Sequence, residues 1–400
     1  MPKNILVYVQ HLLGTGHLHR TALITTELAD NGFAVTVVSG GVAELNDFGK
    51  ATVIQLPAIK TDSAFTDLFD EYDNPITDGF KRSRADRLLQ IFNDALPDLV
   101  LIETYPFGRR QMRFELLPLL QAIKQSAIKQ NKPARPIVAC SIRDVIQPKS
   151  GHKRIQEILD VLDQYFDTIF VHGDRSFIEF DRTFPAAVSL KDKLVYTGYV
   201  TKPLASAMKP TRNTKSVLVS AGGGAVGQRL YQAAIGASQL ARGQEYNWHI
   251  LVGGNVSEVD FGAMQTRQAR QSDNLKIERN RNDFIDLLGQ CSVSVSQGGY
   301  NTMMDILVTN TPAVIIPFEG RSEQAPEQEQ LIRARAFEKN NIATLLREKN
   351  LIASALLTAI VDCENSGNPP VPQSKPQIDI NGASWMAAFI KNHGSRYFKR

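Results

Sequence analysis

Four hundred residues, 43% of them hydrophobic and 22% charged, suffice for two or three globular domains, each with its own core. A formal net charge of +4 is small for this length, which argues against a dedicated nucleic-acid binder but leaves room for a local basic patch. Cys140, Cys291 and Cys363 stand apart, with no CxxC or His-linked spacing. A zinc site or disulfide framework is therefore not expected, and a reducing cytoplasm is the natural setting.

Met1-Pro2-Lys3-Asn4 runs straight into a short strand-like segment, too short for the core of a signal peptide. No stretch reaches the roughly eighteen uninterrupted apolar residues of a membrane span. The first strand, over 5–9, leads into Gly14-Thr15-Gly16-His17 and a helix over 17–31 that ends at Gly32. Apolar runs at 34–38, 53–56, 99–102, 137–140, 168–171 and 194–197 predict further strands separated by helices, the pattern of a parallel sheet covered on both faces. The polar stretch over 60–84 reads as a long loop or an incomplete helix.

Pro203 and Pro210 mark a linker over 201–214. It divides an N-terminal domain, 1–200, from a C-terminal domain, 215–376. Strands are expected there at 217–219, 249–252, 275–278, 291–296 and 313–317. A Pro, Gly and Ser-rich break precedes a last helix and basic tail over 377–400, which could pack back on the N-terminal domain. The fold class is α/β, two Rossmann-like doubly wound domains facing across a cleft.

Both domains open with a strand, a glycine turn and a helix. Glycines allow a sharp turn and close approach to a ligand, and the free amides of a helix start attract anions. Gly14, Thr15 and Gly16 form the first turn, and Gly222, Gly223 and Gly224 the second. The first is not GxGxxG, and no acidic residue closes the second strand at Val38-Ser39-Gly40, which counts against nicotinamide binding. His17 at the helix start would have its imidazolium form disfavoured by the helix dipole, leaving a neutral ring able to act as a base, or one that merely packs or caps. His11, His19 and Arg20 are expected as exposed polar residues.

A third glycine turn, Gly298-Gly299, follows a buried strand, and Asp305 lies about one turn inside the next helix, where a carboxylate can accept from vicinal ribose hydroxyls. Beyond the strand over 313–317 and a polar loop, Glu329-Gln330 begin another helix. On the N-terminal side, Glu103, Arg109, Arg110, Arg143 and Asp144 follow strands, where open α/β sheets bind ligands. The arginines could hold a phosphorylated or acidic acceptor, and Glu103 or Asp144 could assist or orient His17. Singly, each arginine could equally form an ordinary surface ion pair. Lys149, His152-Lys153-Arg154 and the basic tail could touch an anionic membrane surface.

With these turns, the 296–305 stretch and Glu329-Gln330, the chain resembles GT-B glycosyltransferases of family 28, typified by the bacterial cell-wall N-acetylglucosaminyltransferase. The resemblance implies that Asp305 holds the ribose, that Glu329 and Gln330 contact the donor sugar, and that the C-terminal glycine loop cradles the diphosphate. It implies that His17 lies by the acceptor and reacting centre. Two positions depart from the family: Gly224 stands where a serine is usual, and Asp305 where a glutamate is. The expected activity is inverting transfer from a nucleotide-diphosphate sugar, UDP-linked, to an acceptor hydroxyl, with the base of the nucleotide near 279–284. The acceptor would be phosphorylated or lipid-linked. No DxD triplet occurs, so neither metal nor cofactor is expected. A nucleotide-sugar 2-epimerase of the same fold and a non-catalytic nucleotide-sugar-binding regulator are the alternatives. The expected location is cytoplasmic, peripheral at the inner membrane face.

Overall fold

Buried parallel strands alternate with helices in both halves of the chain. The computed structural model describes residues 3–12, 16–43, 46–62, 67–129, 134–147, 151–202, 212–222, 227–269, 273–320, 328–365 and 378–393. The chain divides into two units, Met1–Thr201 with Ile378–Arg400, and Lys202–Gln377.

The first unit runs β1 (Asn4–Val9), α1 (Gly16–Asp30), β2 (Ala34–Ser39), β3 (Thr52–Gln55), β4 (Lys60–Thr61), β5 (Leu68–Phe69), α2 (Asp78–Ala95) and β6 (Leu99–Glu103). It continues with α3 (Arg113–Lys129), β7 (Ile137–Arg143), α4 (His152–Tyr165), β8 (Thr168–His172) and β9 (Leu194–Tyr196). Seven of these strands form a parallel sheet in the order β3-β2-β1-β6-β7-β8-β9. Side chains of β1 alternate between two cores. Leu6 and Tyr8 join the cluster beneath α2 and α3, while Ile5, Val7 and Val9 join the one beneath α1. A strand buried on both faces must be apolar at every position, which is why its sequence reads as an unbroken hydrophobic run.

The 60–84 stretch is neither a plain loop nor an incomplete helix. Antiparallel β4 and β5 pair within it, and α2 starts at Asp78 because the Thr77 hydroxyl accepts the amide of Phe80 at 3.1 Å. Residues 63–66 lie outside the described residues. Two-residue strands carry too little alternation to be read from sequence.

The second unit runs β10 (Ser216–Ser220), α5 (Gln228–Gln239), β11 (Asn247–Val252), α6 (Glu258–Ala269), β12 (Leu275–Arg279) and α7 (Phe284–Gln290). It continues with β13 (Val293–Ser296), α8 (Tyr300–Thr309), β14 (Ala313–Ile315), α9 (Glu329–Lys339), β15 (Thr344–Leu345) and α10 (Ala353–Asn365). Its sheet is parallel in the order β12-β11-β10-β13-β14-β15.

The last helix, α11 (Gly382–His393), belongs to the first unit and lies on α1. Met386, Ala387 and Ile390 are fully buried there beside Leu18 and Ala22. Burial of the methionine and isoleucine side chains contributes about 1.5–3 kcal/mol each. The approach is close: a Cβ on Gly382 would sit 2.4 Å from the Gly198 carbonyl oxygen.

In both sheets the strand order reverses beside the first strand, between β1 and β6 and between β10 and β13. Connections leaving such a pair go to opposite faces and open a crevice at the strands' carboxyl ends, the usual ligand position in this architecture.

Candidate functional site

In the first unit that crevice is lined by the start of α1 and the end of β6. His17 lies in the first turn of α1, 14% exposed, and its Nδ1 is 2.9 Å from Oε1 of Glu103, the last residue of β6. Glu103 is only 2% exposed. Arg20, one helical turn beyond His17 and 1% exposed, also pairs with Glu103. Thr104 donates to Glu103 Oε1 at 3.0 Å and Ser141 to Oε2 at 2.6 Å. Behind Ser141, His172 Nε2 lies at 2.8 Å, and its Nδ1 is 3.0 Å from the Thr197 hydroxyl. Glu103, Ser141, His172 and Thr197 thus form a polar row across the ends of β6, β7, β8 and β9.

Burial alone would raise the pKa of Glu103. The Arg20 guanidinium and the His17 hydrogen bond outweigh it and hold the carboxyl well below the usual carboxylate range. His17 is lowered to about 3, by burial and by the Arg109 and Arg143 guanidiniums, against the opposing pull of Glu103. His172 is lowered to about 3 by burial and by Arg20. A neutral His17 that donates Nδ1–H to an ionised Glu103 keeps its lone pair on Nε2.

Of the two carboxylates expected near His17, Glu103 is the one that meets it. Asp144 is fully buried and accepts from Tyr199 Oη at 2.9 Å and the Val145 amide at 2.8 Å, so its role is to fix the backbone after β7. Arg20 and His11 are not exposed, contrary to expectation: Arg20 serves Glu103, and His11, 5% exposed, places Nε2 2.8 Å from the Val42 carbonyl oxygen. His19 is half-buried. Arg110 is exposed and paired with Glu157, the surface ion pair that was the alternative for it. Gly16 opens α1, whereas Gly14 and Thr15 lie outside the described residues.

In the second unit, Gly222 adopts φ +75°, a conformation open to glycine at no steric cost, and its amide donates to the Ser220 hydroxyl at 3.2 Å. Asn280 Nδ2 donates to the Gly222 carbonyl at 3.3 Å, which joins the loop after β12 to the loop after β10. Gly223 and Gly224 lie outside the described residues. Within the 279–284 loop, Arg279 stacks on Phe261 and donates to the carbonyls of Gly253 and Val256, while Arg281 pairs with Asp283.

Gly298 and Gly299 follow β13, and Gly299 caps α8. A Cβ on Gly298 would lie 3.2 Å from the Gln330 carbonyl oxygen, so the absent side chain lets the start of α9 pack there. Gln330 Oε1 accepts the Phe318 amide at 2.9 Å. Glu329 is 8% exposed and lies 3.4 Å from the guanidinium of the fully buried Arg333, which also reaches the Gly298 carbonyl at 3.4 Å and lies over the Tyr300 ring. Gly298, Glu329 and Gln330 are therefore brought together beyond β13 and β14. Asp305, on α8, is part-buried, and its carboxylate accepts no hydrogen bond among the described residues. Burial raises it to about 7, against the pull of Lys202.

Sequence reasoning missed Arg20, Ser141, His172 and Arg333. The i,i+3 spacing of His17 and Arg20 and the i,i+4 spacing of Glu329 and Arg333 were the available signals, since both put two polar side chains on one helix face. Nothing local marks Ser141 or His172 inside apolar strands. Among the described residues no group of three or more His, Cys, Asp or Glu could hold a metal ion, and no helix is long and apolar enough to cross a membrane.

Residues 217–384 match the model of the glycosyltransferase family 28 C-terminal domain. The chain is 27% identical over 177 residues to the UDP-N-acetylglucosamine–N-acetylmuramyl-(pentapeptide) pyrophosphoryl-undecaprenol N-acetylglucosamine transferase of Geobacillus thermodenitrificans, 42% of this chain and 47% of that one. It is 27% identical over 110 residues to the protein of the same description from Thermosipho africanus, 28% of this chain and 32% of that one. The matches thus span less than half the length of these relatives. Among solved structures, CalG4, the calicheamicin glycosyltransferase, aligns with a TM-score of 0.62 at 14% identity over 100% of this chain and 99% of that one. Acinetobacter baumannii MurG aligns with a TM-score of 0.58 at 14% identity over 97% and 99%.

Two parallel, doubly wound sheets, together with full-length likeness to these structures, define the GT-B glycosyltransferase fold. The match over 217–384 narrows this for the C-terminal part of the chain, which is similar to the family 28 C-terminal domain and to the cell-wall transferases.

Proposed function

We propose that the chain is an inverting glycosyltransferase that moves a sugar from a uridine diphosphate sugar to an acceptor hydroxyl. The single observation that carries this reading is the His17–Glu103 pair at the reversal of the first sheet, in a chain whose second unit has the family 28 C-terminal domain. The relatives' description as UDP-N-acetylglucosamine-dependent transferases supports the choice of nucleotide.

His17 is the general base. Glu103 takes its Nδ1–H, fixes the tautomer and leaves Nε2 to accept the acceptor's proton as the oxygen attacks the anomeric carbon from the face opposite the leaving diphosphate. Because the free imidazole is held neutral, it never has to lose a proton before reaction. Its basicity comes from the buried Glu103 carboxylate, which stabilises the imidazolium as it forms. Arg20, Ser141 and Thr104 hold that carboxylate in place. In the second unit, Asp305 receives the ribose hydroxyls, and amides around Gly222 and Gly298-Gly299 take the diphosphate. Glu329 and the amide nitrogen of Gln330 face the sugar. Fixed amides and helix starts offer the leaving diphosphate its charge stabilisation, with no metal required.

A thermal-shift screen of nucleotide sugars tests the donor. A ligand at about one hundred times its Kd adds roughly 2.7 kcal/mol, or about 5–10 °C for a unit of this size. Asp305→Ala should abolish that shift. His17→Ala should keep it while losing transfer. Conversion of UDP-N-acetylglucosamine to its manno epimer by the chain alone would replace this reading with an epimerase. Binding with neither transfer nor hydrolysis over long incubation would replace it with a regulator.

A further inference from the structure

In the second unit the loops that follow β14 and β15 are tied to each other by reciprocal bonds. The two strands lie side by side in parallel, so both loops leave the same end of the sheet. Glu319, in the loop after β14, receives Nε of Arg347 on Oε1 at 2.6 Å and Nη2 of the same guanidinium on Oε2. The Glu348 amide donates to Glu319 Oε1 at 3.2 Å, and the Glu319 amide donates back to Glu348 Oε2 at 3.2 Å. Glu319 is 20% and Arg347 28% exposed, so this pair adds little to stability. What a two-pronged guanidinium–carboxylate contact does fix is orientation.

Phe318, the residue before Glu319, passes that orientation on. Its amide donates to Oε1 of Gln330 at 2.9 Å. A backbone amide can only donate, so the oxygen of the Gln330 head group must face it and Nε2 must face away. Among the described residues Nε2 makes no hydrogen bond, and Gln330 is half-buried. One end of this side chain is therefore engaged, and two N–H donors are left over.

We propose that Glu319 and Arg347 are positioning residues that set the polarity of Gln330, so that it reads the donor sugar through N–H donors alone. The inference rests on the reading of Gln330 as facing the sugar, and it names what the sugar must offer there. That is an oxygen with a lone pair, as in a hydroxyl, an amide carbonyl or a carboxylate, and not a group that only donates, such as an ammonium. A glutamine free to turn over would present either end and reject neither. With Phe318 held by the Glu319–Arg347 pair, turning over would set Nε2 against the Phe318 amide, donor against donor. The selectivity comes from that penalty.

The test titrates the full chain by calorimetry, with no acceptor, against uridine diphosphate and separately against its glucose, galactose and N-acetylglucosamine conjugates. The Kd for uridine diphosphate divided by that for the tightest conjugate measures what the sugar adds. Gln330→Met should lower this ratio about two- to tenfold, the worth of one hydrogen bond, and leave uridine diphosphate itself unchanged. Glu319→Gln and Arg347→Gln should each lower the ratio in the same way, and Arg347→Lys, which keeps the charge and loses the fork, should lower it less. Arg335→Gln, exposed on α9, should change nothing. In the Gln330→Met background Glu319→Gln should have no further effect, because a positioning residue acts only through the group it positions. A merely structural role would weaken all four ligands alike and persist in that background, and that result overturns the proposal. A ratio that falls in Gln330→Met but not in the Glu319 and Arg347 variants overturns the positioning alone. A ratio unchanged in Gln330→Met overturns the sugar-facing reading of Gln330 and the proposal with it. A ligand-free arm follows hydrogen exchange at the Phe318 amide by NMR in a chain with isotopically labelled phenylalanine, the signal assigned by its loss in Phe318→Leu. Protection in the parent chain should be lost in Glu319→Gln and Arg347→Gln. An amide unprotected in the parent, or equally protected in the variants, overturns the proposal even if none of the four ligands binds.

Discussion

Replacing Glu103 by Gln keeps the volume of the side chain and removes its charge. Arg20, 1% exposed, would then lose the charge of its Glu103 partner, and His17 would lose the anionic acceptor that fixes its tautomer. Breaking a buried ion pair by removing one partner costs about 3–5 kcal/mol. In a unit of this size that lowers the melting temperature by roughly 6–20 °C. Transfer should fall by about 10²–10⁴, the range for a general base that has lost its support. Donor binding should be unchanged, because Asp305, Gly222 and Gly298-Gly299 belong to the other unit. Thermal unfolding by circular dichroism, donor calorimetry and initial rates separate the three effects. A second variant, Glu103→Gln with Arg20→Met, removes the buried guanidinium as well and should recover stability without recovering turnover. A Glu103→Gln protein that melts and turns over like the parent chain would refute the reasoning, as would a double variant that regains activity.

Stability of the first unit should rise with pH between about 3 and 6.5. His17 and His172 have folded pKa values of about 3, below the ordinary 6.5, so the unfolded chain binds more protons in that window and stability is lost as pH falls through it. Denaturant titrations at pH 4.5 and 7 on the parent chain and His172→Asn should show a smaller pH dependence in the variant; equal dependence would remove His172 from the account. Asp305 has the opposite sign. Its folded pKa of about 7 lies above 3.8, so its contribution is present below 3.8 and lost as pH rises through 7. Asp305→Asn should therefore stabilise the second unit at pH 8 and not at pH 3.5, and a pH-independent difference in melting temperature would contradict the burial of that carboxylate. Ile390→Ala should cost about 2–5 kcal/mol through the cavity it leaves between α11 and α1. If hydrogen exchange in α1 does not increase, α11 is not part of that core.

Much of the architecture was legible because parallel strands buried on both faces must be apolar at every position. The run Ile5-Leu6-Val7-Tyr8-Val9 announces β1, and Leu99-Val100-Leu101-Ile102 and Val217-Leu218-Val219 announce β6 and β10 in the same way. His17 and Asp305 were legible as candidates because each follows a glycine turn at a helix start. The short strands β4, β5 and β15 were not, since two residues show no period. Nor was the inward turn of Arg20, because propensity and pattern alone place an arginine in solvent.

By itself the sequence determined the order of the longer strands, the α/β class and the positions of the glycine turns, since these follow from local periodicity and backbone sterics. It could not choose between Glu103 and Asp144 as the partner of His17. Both follow strands in the same sheet. Only the strand order, which sets β6 directly beside β1 and β7 one place further away, brings Glu103 within 2.9 Å of the imidazole and leaves Asp144 tied to Tyr199. Contacts between residues 86 positions apart are decided by how strands are ordered in space, and no local pattern records that order.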